Sequence, residues 1–292
     1  NISPVSPKTK IILLAFLILG VLVPVVCIYV LELFRTKIGS REEFERLSQV
    51  SIIGEIGTNK TGKDLLEKGE VDALAEMFRT LRNNIRFALR KRKGMALMMT
   101  STVSNEGKSF VSANLALSFA YTGKKVLLIG GDIRNPEVHA YFNPGGVHKN
   151  RGLSDYLADD AADWKNYVFT PMIEAPTLHV LVAGTIPPNP NELLMELRLE
   201  ALIAEAKTQY DYVLIDSAPV GLVSDSYLIG EHTDMTLYVV REKHTPKTAV
   251  NFINMQRQEE KLKNMFVILN DVELSRGYKY GYGKGYGYQK KK

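Results

Sequence analysis

Residues 95–110 read MALMMTSTVSNEGKSF, an apolar run that passes into a small polar loop and closes on Gly107, Lys108 and Ser109. Backbone N–H groups in such a loop, with the positive end of a following helix, surround phosphate oxygens. A lysine then reaches the β and γ oxygens and the adjacent hydroxyl ligates Mg²⁺. The full pattern asks for a glycine five residues before Gly107, and Thr102 stands there instead. A GKS tripeptide alone is a weak signal, so its setting decides. Met95–Met99 is strand-like, while FVSANLALSFAY (110–121) has apolar residues at helical spacing and stops just before Gly123. Strand, loop and helix in that order make Ser104, Asn105, Glu106, Gly107, Lys108, Ser109 and Phe110 candidate nucleotide-binding residues, with Ser109 also a candidate metal ligand.

Two further apolar runs end in carboxylates. KKVLLIGGDIRNP (124–136) leads to Asp132, and YDYVLIDSAP (210–219) leads to Asp216. In an open parallel sheet the carboxyl ends of the strands form the ligand-binding edge. Two carboxylates facing a phosphate loop there can hold Mg²⁺ directly or through water. Each alone reads equally well as a helix cap; together with Lys108 they become candidate catalytic residues. More strands are expected at 178–184, 235–242 and 265–271, with helices around 191–207 and 246–261. This alternation predicts an α/β fold, a doubly wound and mostly parallel sheet of the P-loop kind. From Val71, VDALAEMFRTLRNNIRFAL predicts an amphipathic helix with Leu74, Phe78, Leu81, Ile85 and Leu89 on one face. Glu76, Arg79 and Arg82 fall on its other side, which by itself reads as a solvated charged face.

The chain has 292 residues, 45% hydrophobic and 24% charged, enough for one α/β domain plus an appendage and unlike a disordered chain. The appendage is Ile11–Leu31, an uncharged apolar run whose helix would span roughly 31 Å, about one bilayer core. A transmembrane helix is expected over 11–31, with Pro24 tolerable in lipid. A cleaved signal peptide is disfavoured by the length and the lack of a small-residue cleavage pattern. Arg35, Lys37, Arg41 and Arg46 outnumber Lys8 and Lys10 and weakly favour a cytoplasmic C-terminal part. The sole cysteine, Cys27, excludes an intrachain disulfide, as suits a reducing compartment. The expected organisation is a periplasmic segment at 1–10, cut from something longer, and a juxtamembrane segment and linker at 32–70. The globular boundary falls near residue 50, the catalytic domain proper is expected at 71–274, and a tail follows at 275–292.

The tail, RGYKYGYGKGYGYQKKK, holds Tyr278, Tyr280, Tyr282, Tyr286 and Tyr288 of the chain's 14 tyrosines. Gly and Lys between the rings remove both periodicity and burial, so a disordered, accessible segment is expected. On composition alone it reads equally as a sticky low-complexity tail or a binder of RNA or anionic lipid.

Taken together these features resemble the bacterial tyrosine kinases of the Wzc type, which join a polysaccharide co-polymerase membrane unit to a cytoplasmic P-loop kinase. The resemblance covers nearly the whole chain. SPK at 6–8 with Gly20 looks like that family's second membrane helix, SIIGEIG at 51–57 its juxtamembrane segment, and GTIPPNPNELL at 184–194 its PPNPxELL stretch. EMFRTLR is similar to its ExxRxxR helix, which implies that Glu76, Arg79 and Arg82 build a ring interface, an octamer in the family. The resemblance also implies that Asn270, in ILND, contacts adenine and that the five tail tyrosines are phosphoacceptors. Its further implications are ATP and Mg²⁺ as cofactors and a bacterial inner-membrane location with the kinase domain in the cytoplasm. Implied partners are the polysaccharide polymerisation and export machinery, a cognate protein-tyrosine phosphatase and membrane lipid, with no nucleic acid.

One departure stands out. The family's second nucleotide strand usually ends Asp-x-Asp-x-Arg, and here Gly130, Gly131, Asp132, Ile133 and Arg134 follow one another, without the first aspartate. Two other readings therefore stay open: a membrane-tethered MinD/ParA-like ATPase switch without tyrosine transfer, and a nonenzymatic scaffold that uses ATP only to fix assembly.

Overall fold

The computed structural model describes residues 9–33, 36–90, 94–142 and 151–273. In chain order these form α1 (Thr9–Leu33), α2 (Arg41–Leu47), β1 (Ile52–Gly57), α3 (Ala73–Ala88), β2 (Met95–Ser101), α4 (Lys108–Ala120) and β3 (Val126–Gly130). Then come α5 (Val138–Phe142), α6 (Leu153–Leu157), a 3₁₀ turn at Trp164–Tyr167, β4 (Leu178–Leu181), α7 (Pro190–Leu194), α8 (Leu197–Gln209) and β5 (Tyr212–Asp216). The remainder is α9 (Asp225–Glu231), β6 (Met235–Arg241), α10 (Lys247–Gln258) and β7 (Met265–Val272).

The seven strands form one sheet in the order β1-β7-β6-β2-β5-β3-β4. Every pairing between these seven strands is parallel, as the expected mostly parallel sheet requires, and an isolated antiparallel bridge adds Phe169 to β4 at Val180. A parallel sheet covered on both faces needs continuous apolar strands rather than alternating ones. MALMM supplies this: Met95, Leu97 and Met99 enter the core layer under α3 and α4, while Ala96 and Met98 enter the layer under α2, α8, α9 and α10. The chain leaves central β2 toward β3 on one side and later adds β6 on the other. The carboxyl end of β2 is thus the topological switch point, where ligands bind in such sheets.

The helix expected from Val71 begins one residue after Asp72, whose carboxylate accepts the Ala75 N–H at 2.7 Å as an N-cap. Phe78, Leu81 and Ile85 are fully buried as the spacing required. Arg82 corrects the expectation of an exposed charged face, because it turns inward and donates to the Ser118 carbonyl oxygen at 2.7 Å. Arg79 is half-buried, paired with Glu76 at 2.9 Å and with the Glu70 carbonyl oxygen. The single helix expected over 191–207 is two helices, α7 and α8.

The described residues 36–70 belong to the domain, which therefore starts upstream of the boundary expected near residue 50. β1 is the edge strand beside β7, and α2 docks on α10, where the Asn254 side chain accepts the Gln49 N–H and donates to the Leu47 carbonyl oxygen, both at 2.8 Å. Ile38 and Phe44 are core residues. The sequence signal was too short to show this: IIGEIG carries two glycines, and its partner strand lies at the far end of the chain. Phe44→Ala is expected to lower unfolding free energy by about 3–5 kcal/mol, as for other fully buried Phe→Ala changes. Denaturant unfolding checks it, and a loss under about 1 kcal/mol would place the domain boundary downstream of α2.

α1 contains Pro24, and its side chains are described over residues 12–26, all exposed, with Leu13 and Phe16 at 69%. Among the described residues no helix is long and apolar enough to cross a membrane. The tail with Tyr278, Tyr280, Tyr282, Tyr286 and Tyr288 lies outside the described residues.

Candidate functional site at the carboxyl edge of β2, β3 and β5

The loop 102–107 joins β2 to α4, and Lys108 and Ser109 are the first two residues of the helix. Gly107 sits at φ 85°, which favours glycine, and a Cβ there would meet the Asn270 amide nitrogen at 2.1 Å. No side chain caps α4, so its first N–H groups are open to an anion at the positive end of the helix.

Asp216, the last residue of β5, lies beside this helix start and is 1% exposed. One of its carboxylate oxygens accepts the Ser109 hydroxyl at 2.6 Å, and the other is buried without a hydrogen-bond partner. Burial pushes the Asp216 carboxyl up to about 7, opposed by the Lys108 charge and the Ser109 hydrogen bond. Asp132, two residues past β3, is half-buried and accepts the N–H groups of Arg134 and Asn135 at 3.2 and 2.9 Å. Burial raises its carboxyl too, and Lys108 again opposes the shift. Lys108 therefore places one cation against two carboxylates, with 7% of its surface exposed. β3 is joined to β5 through Asp216, whose carbonyl oxygen accepts the N–H groups of Gly131 and Asp132 at 2.7 and 2.9 Å.

An unpartnered buried carboxylate oxygen beside a hydroxyl is a fitting seat for a hard cation, and Mg²⁺ commonly takes only one or two protein carboxylates, leaving the rest to water and phosphate. Ser109, Asp216 and Asp132 can supply such a set. Clusters of three or more His, Cys, Asp and Glu side chains suited to a metal are absent among the described residues, so no all-protein cage competes with it.

Of the expected nucleotide and metal residues, Lys108, Ser109, Asp132 and Asp216 lie together at this edge, and three others depart from expectation. The Glu106 side chain is fully buried inside the loop, accepting the N–H groups of Thr102 and Val103, and it is not available to a nucleotide. Asn270, at the carboxyl end of β7, reaches the loop, but its amide donates to the Glu106 carbonyl oxygen at 2.9 Å. Phe110 turns toward the core and meets Phe78 edge-on, ring centroids 6.0 Å apart. At Gly130 the missing carboxylate has a steric counterpart: a Cβ would lie 2.9 Å from the Ala183 backbone nitrogen.

Several residues that shape the site carry no sequence motif. The Arg241 guanidinium donates to the Asn105 carbonyl oxygen at 3.0 Å, and a His244 ring nitrogen lies 3.0 Å from the Ser104 carbonyl oxygen. Arg134 grips Asp225 with two hydrogen bonds of 2.7 and 3.0 Å, tying the segment after β3 to α9. The turn that carries His244 is itself paired to the start of the domain, Ile38 N–H donating to the Thr245 carbonyl oxygen at 2.9 Å. A separate cavity of about 160 Å³, lined by Arg41, Glu55, Met77, Leu81 and Asn84 among others, lies between β1 and α3 rather than at the loop.

Comparison with known proteins agrees with this geometry. Residues 97–281 match the CobQ/CobB/MinD/ParA nucleotide binding domain. The chain is 32% identical to a putative tyrosine-protein kinase in the cps region of Klebsiella pneumoniae, over 96% of this chain and 40% of that protein. It is 36% identical to the tyrosine-protein kinase YwqD of Bacillus subtilis, over 71% of this chain and 85% of that one. The kinase domain of the Escherichia coli tyrosine kinase ETK superposes with a TM-score of 0.68 at 29% identity, covering 82% of this chain and 95% of that domain. The chain spans well under half the length of its longer relatives, 40% of the Klebsiella protein and 31% of a Ralstonia solanacearum one. With the loop after β2, Asp216 at the end of β5, Asp132 just past β3 and these relatives, the chain belongs to the CobQ/CobB/MinD/ParA nucleotide-binding family and, within it, to the bacterial tyrosine-protein kinases.

Proposed function

We propose that the chain is an ATP-dependent protein-tyrosine autokinase, anchored in the bacterial inner membrane by α1 with its catalytic domain in the cytoplasm. The carrying observation is the convergence of Lys108, Ser109, Asp132 and Asp216 at one sheet edge, with the partnerless Asp216 oxygen pointing to a cation. The N–H groups at the start of α4 and the Lys108 ammonium hold the ATP phosphates and offset charge on the transferring group. Ser109, Asp216 and Asp132 would hold Mg²⁺, which would offset charge on the phosphate oxygens. The acceptor tyrosine oxygen bonds to the γ phosphorus as the bond to ADP breaks, and its proton leaves to solvent. A loose transition state asks more of alignment and charge than of a strong base, so the reaction tolerates Gly130.

Acceptors are Tyr278, Tyr280, Tyr282, Tyr286 and Tyr288 of a neighbouring copy, in a ring assembled through Glu76, Arg79 and Arg82. The tail can extend roughly 56 Å at about 3.3 Å per residue, which permits this transfer. The basic residues Arg276, Lys279, Lys284, Lys290, Lys291 and Lys292 would be outweighed by five phosphates carrying about −8 to −10 charges. Phosphorylation thus reverses the sign of the tail and loosens the ring. A cognate phosphatase resets it, and the cycle serves polysaccharide polymerisation and export.

The test is intact-protein mass spectrometry after incubation with Mg²⁺ and ATP, with the same samples sedimented. The expected result is up to five +80 Da additions in the tail, about 80 Da being one phosphoryl group, and smaller assemblies afterwards. Larger assemblies after phosphorylation would reject the loosening. The absence of a carboxylate at Gly130 favours one rival, an ATPase switch, whose signature is ATP turnover without phosphotyrosine.

A further inference from the structure

Thr102 stands where a phosphate loop ordinarily has glycine, and the structure assigns glycine's part to other groups. Glycine serves a positive φ or a close approach of backbone. The positive-φ residues of this loop are Asn105 and Gly107, at 62° and 85°, and Thr102 is not one of them. The close approach is provided from across the site, where a Cβ on Gly221 would lie 2.3 Å from the Thr102 carbonyl oxygen. The Thr102 hydroxyl meets the Tyr238 hydroxyl at 2.8 Å, so the residue is held at its side chain as well.

What bends the loop is the Glu106 carboxylate. One oxygen accepts the N–H groups of Thr102 and Val103 at 2.8 and 2.9 Å. The other accepts the Thr245 hydroxyl, and Thr245 is in turn fixed because its hydroxyl oxygen accepts the Arg241 N–H at 2.8 Å. The carboxylate is fully buried, and the main-chain oxygen of the same residue is held by Asn270. A buried acid inside a loop built for polyphosphate adds like charge, which is unfavourable unless it shapes the loop.

We propose that Glu106 is a positioning residue for nucleotide. Its carboxylate, locked by Thr245 from the turn between β6 and α10, withdraws two N–H groups from the loop's first half. It thereby sets the curvature that aims the N–H groups of residues 104–109 at phosphate. The proposal rests on the nucleotide-site reading above and is judged on binding alone.

The experiment is calorimetric titration of the full chain in detergent with Mg²⁺·ADP, well below the melting temperature of each variant. Glu106→Ala is expected to weaken binding about 10- to 100-fold, the loss of hydrogen bonds to a charged acceptor. Glu106→Gln, which keeps acceptor geometry, recovers part of that loss. Thr245→Val weakens binding as well, and the double variant Glu106→Ala/Thr245→Val is no worse than Glu106→Ala alone, because the two act as one unit. In ATP kinetics the KM rises more than kcat falls. A Glu106→Ala protein that melts earlier yet binds within about twofold of wild type would make the residue merely structural and overturn the proposal. If Glu106→Ala does not fold, Thr245→Val decides: weakened binding supports the proposal and unchanged binding overturns it. Wild-type chain that binds Mg²⁺·ADP without phosphorylating its tail removes the kinase reading and leaves this one standing; wild type that binds no nucleotide removes both.

Discussion

Lys108→Met is expected to reduce phosphoryl transfer to the tail by about 10³-fold or more while leaving the fold intact, a loss in the range seen when a cation on a transferring phosphoryl group is removed. Lys108 opens α4 at the helix end that is positive, nearly buried and without a side-chain cap. Its ammonium is the opposing charge felt by both Asp132 and Asp216. Methionine keeps the length and apolar stem of the side chain, so packing changes little and the effect reports charge. Removing the cation also leaves two carboxylates without their neutralising partner, which disfavours an incoming polyphosphate further. Phosphotyrosine formation, measured beside circular dichroism and melting of the same samples, checks this. Transfer within about tenfold of wild type, in a folded variant, would show that another group carries the charge.

Asp216→Asn is expected to separate stability from function. Burial raises the Asp216 carboxyl from its ordinary value to about 7 in the folded, ligand-free chain, while the unfolded chain titrates near the model-peptide value of about 3.9. Between those values the folded state holds more protons than the unfolded one, so stability is full below about pH 4 and falls as pH rises toward 7. Asparagine keeps an acceptor for the Ser109 hydroxyl and cannot ionise. Above pH 7 the nucleotide-free variant should therefore melt several degrees higher than wild type, a gain of a few kcal/mol at about 2–4 °C each. At pH 4 the two should converge. The same change removes a charged cation ligand, and the stabilisation by Mg²⁺·ADP should disappear. Melting curves at pH 4 and 8, with and without Mg²⁺·ADP, test both halves. A variant less stable than wild type at pH 8 would reject the buried-charge account, and retained Mg²⁺·ADP stabilisation would remove Asp216 from the cation site.

The local grammar of the chain was legible because it is written in short-range periodicity. MALMM followed by GKS and a helical apolar pattern placed a strand, loop and helix, and the runs before Asp132 and Asp216 placed two more strands whose ends face the loop. The buried face of α3 followed from Phe78, Leu81 and Ile85 at helical spacing. These signals depend on neighbours within one or two turns, and no knowledge of strand order is needed to read them.

What only the tertiary structure decided are the contacts that sheet order creates. Glu106 meets Thr245 across 139 positions, and Arg134 meets Asp225 across 91. Gly221 yields space to Thr102, and β1 becomes an edge strand only because β7 returns beside it. The sequence by itself determined the strand, loop and helix at 95–121 and the carboxylates that end at the ligand-binding edge, because hydrophobic period and turn chemistry are local. The loop's curvature, the inward turn of Arg82 and the charge balance around Lys108 were decided by the parallel sheet that brings distant strands side by side, since burial and hydrogen bonding act between whatever the fold makes adjacent.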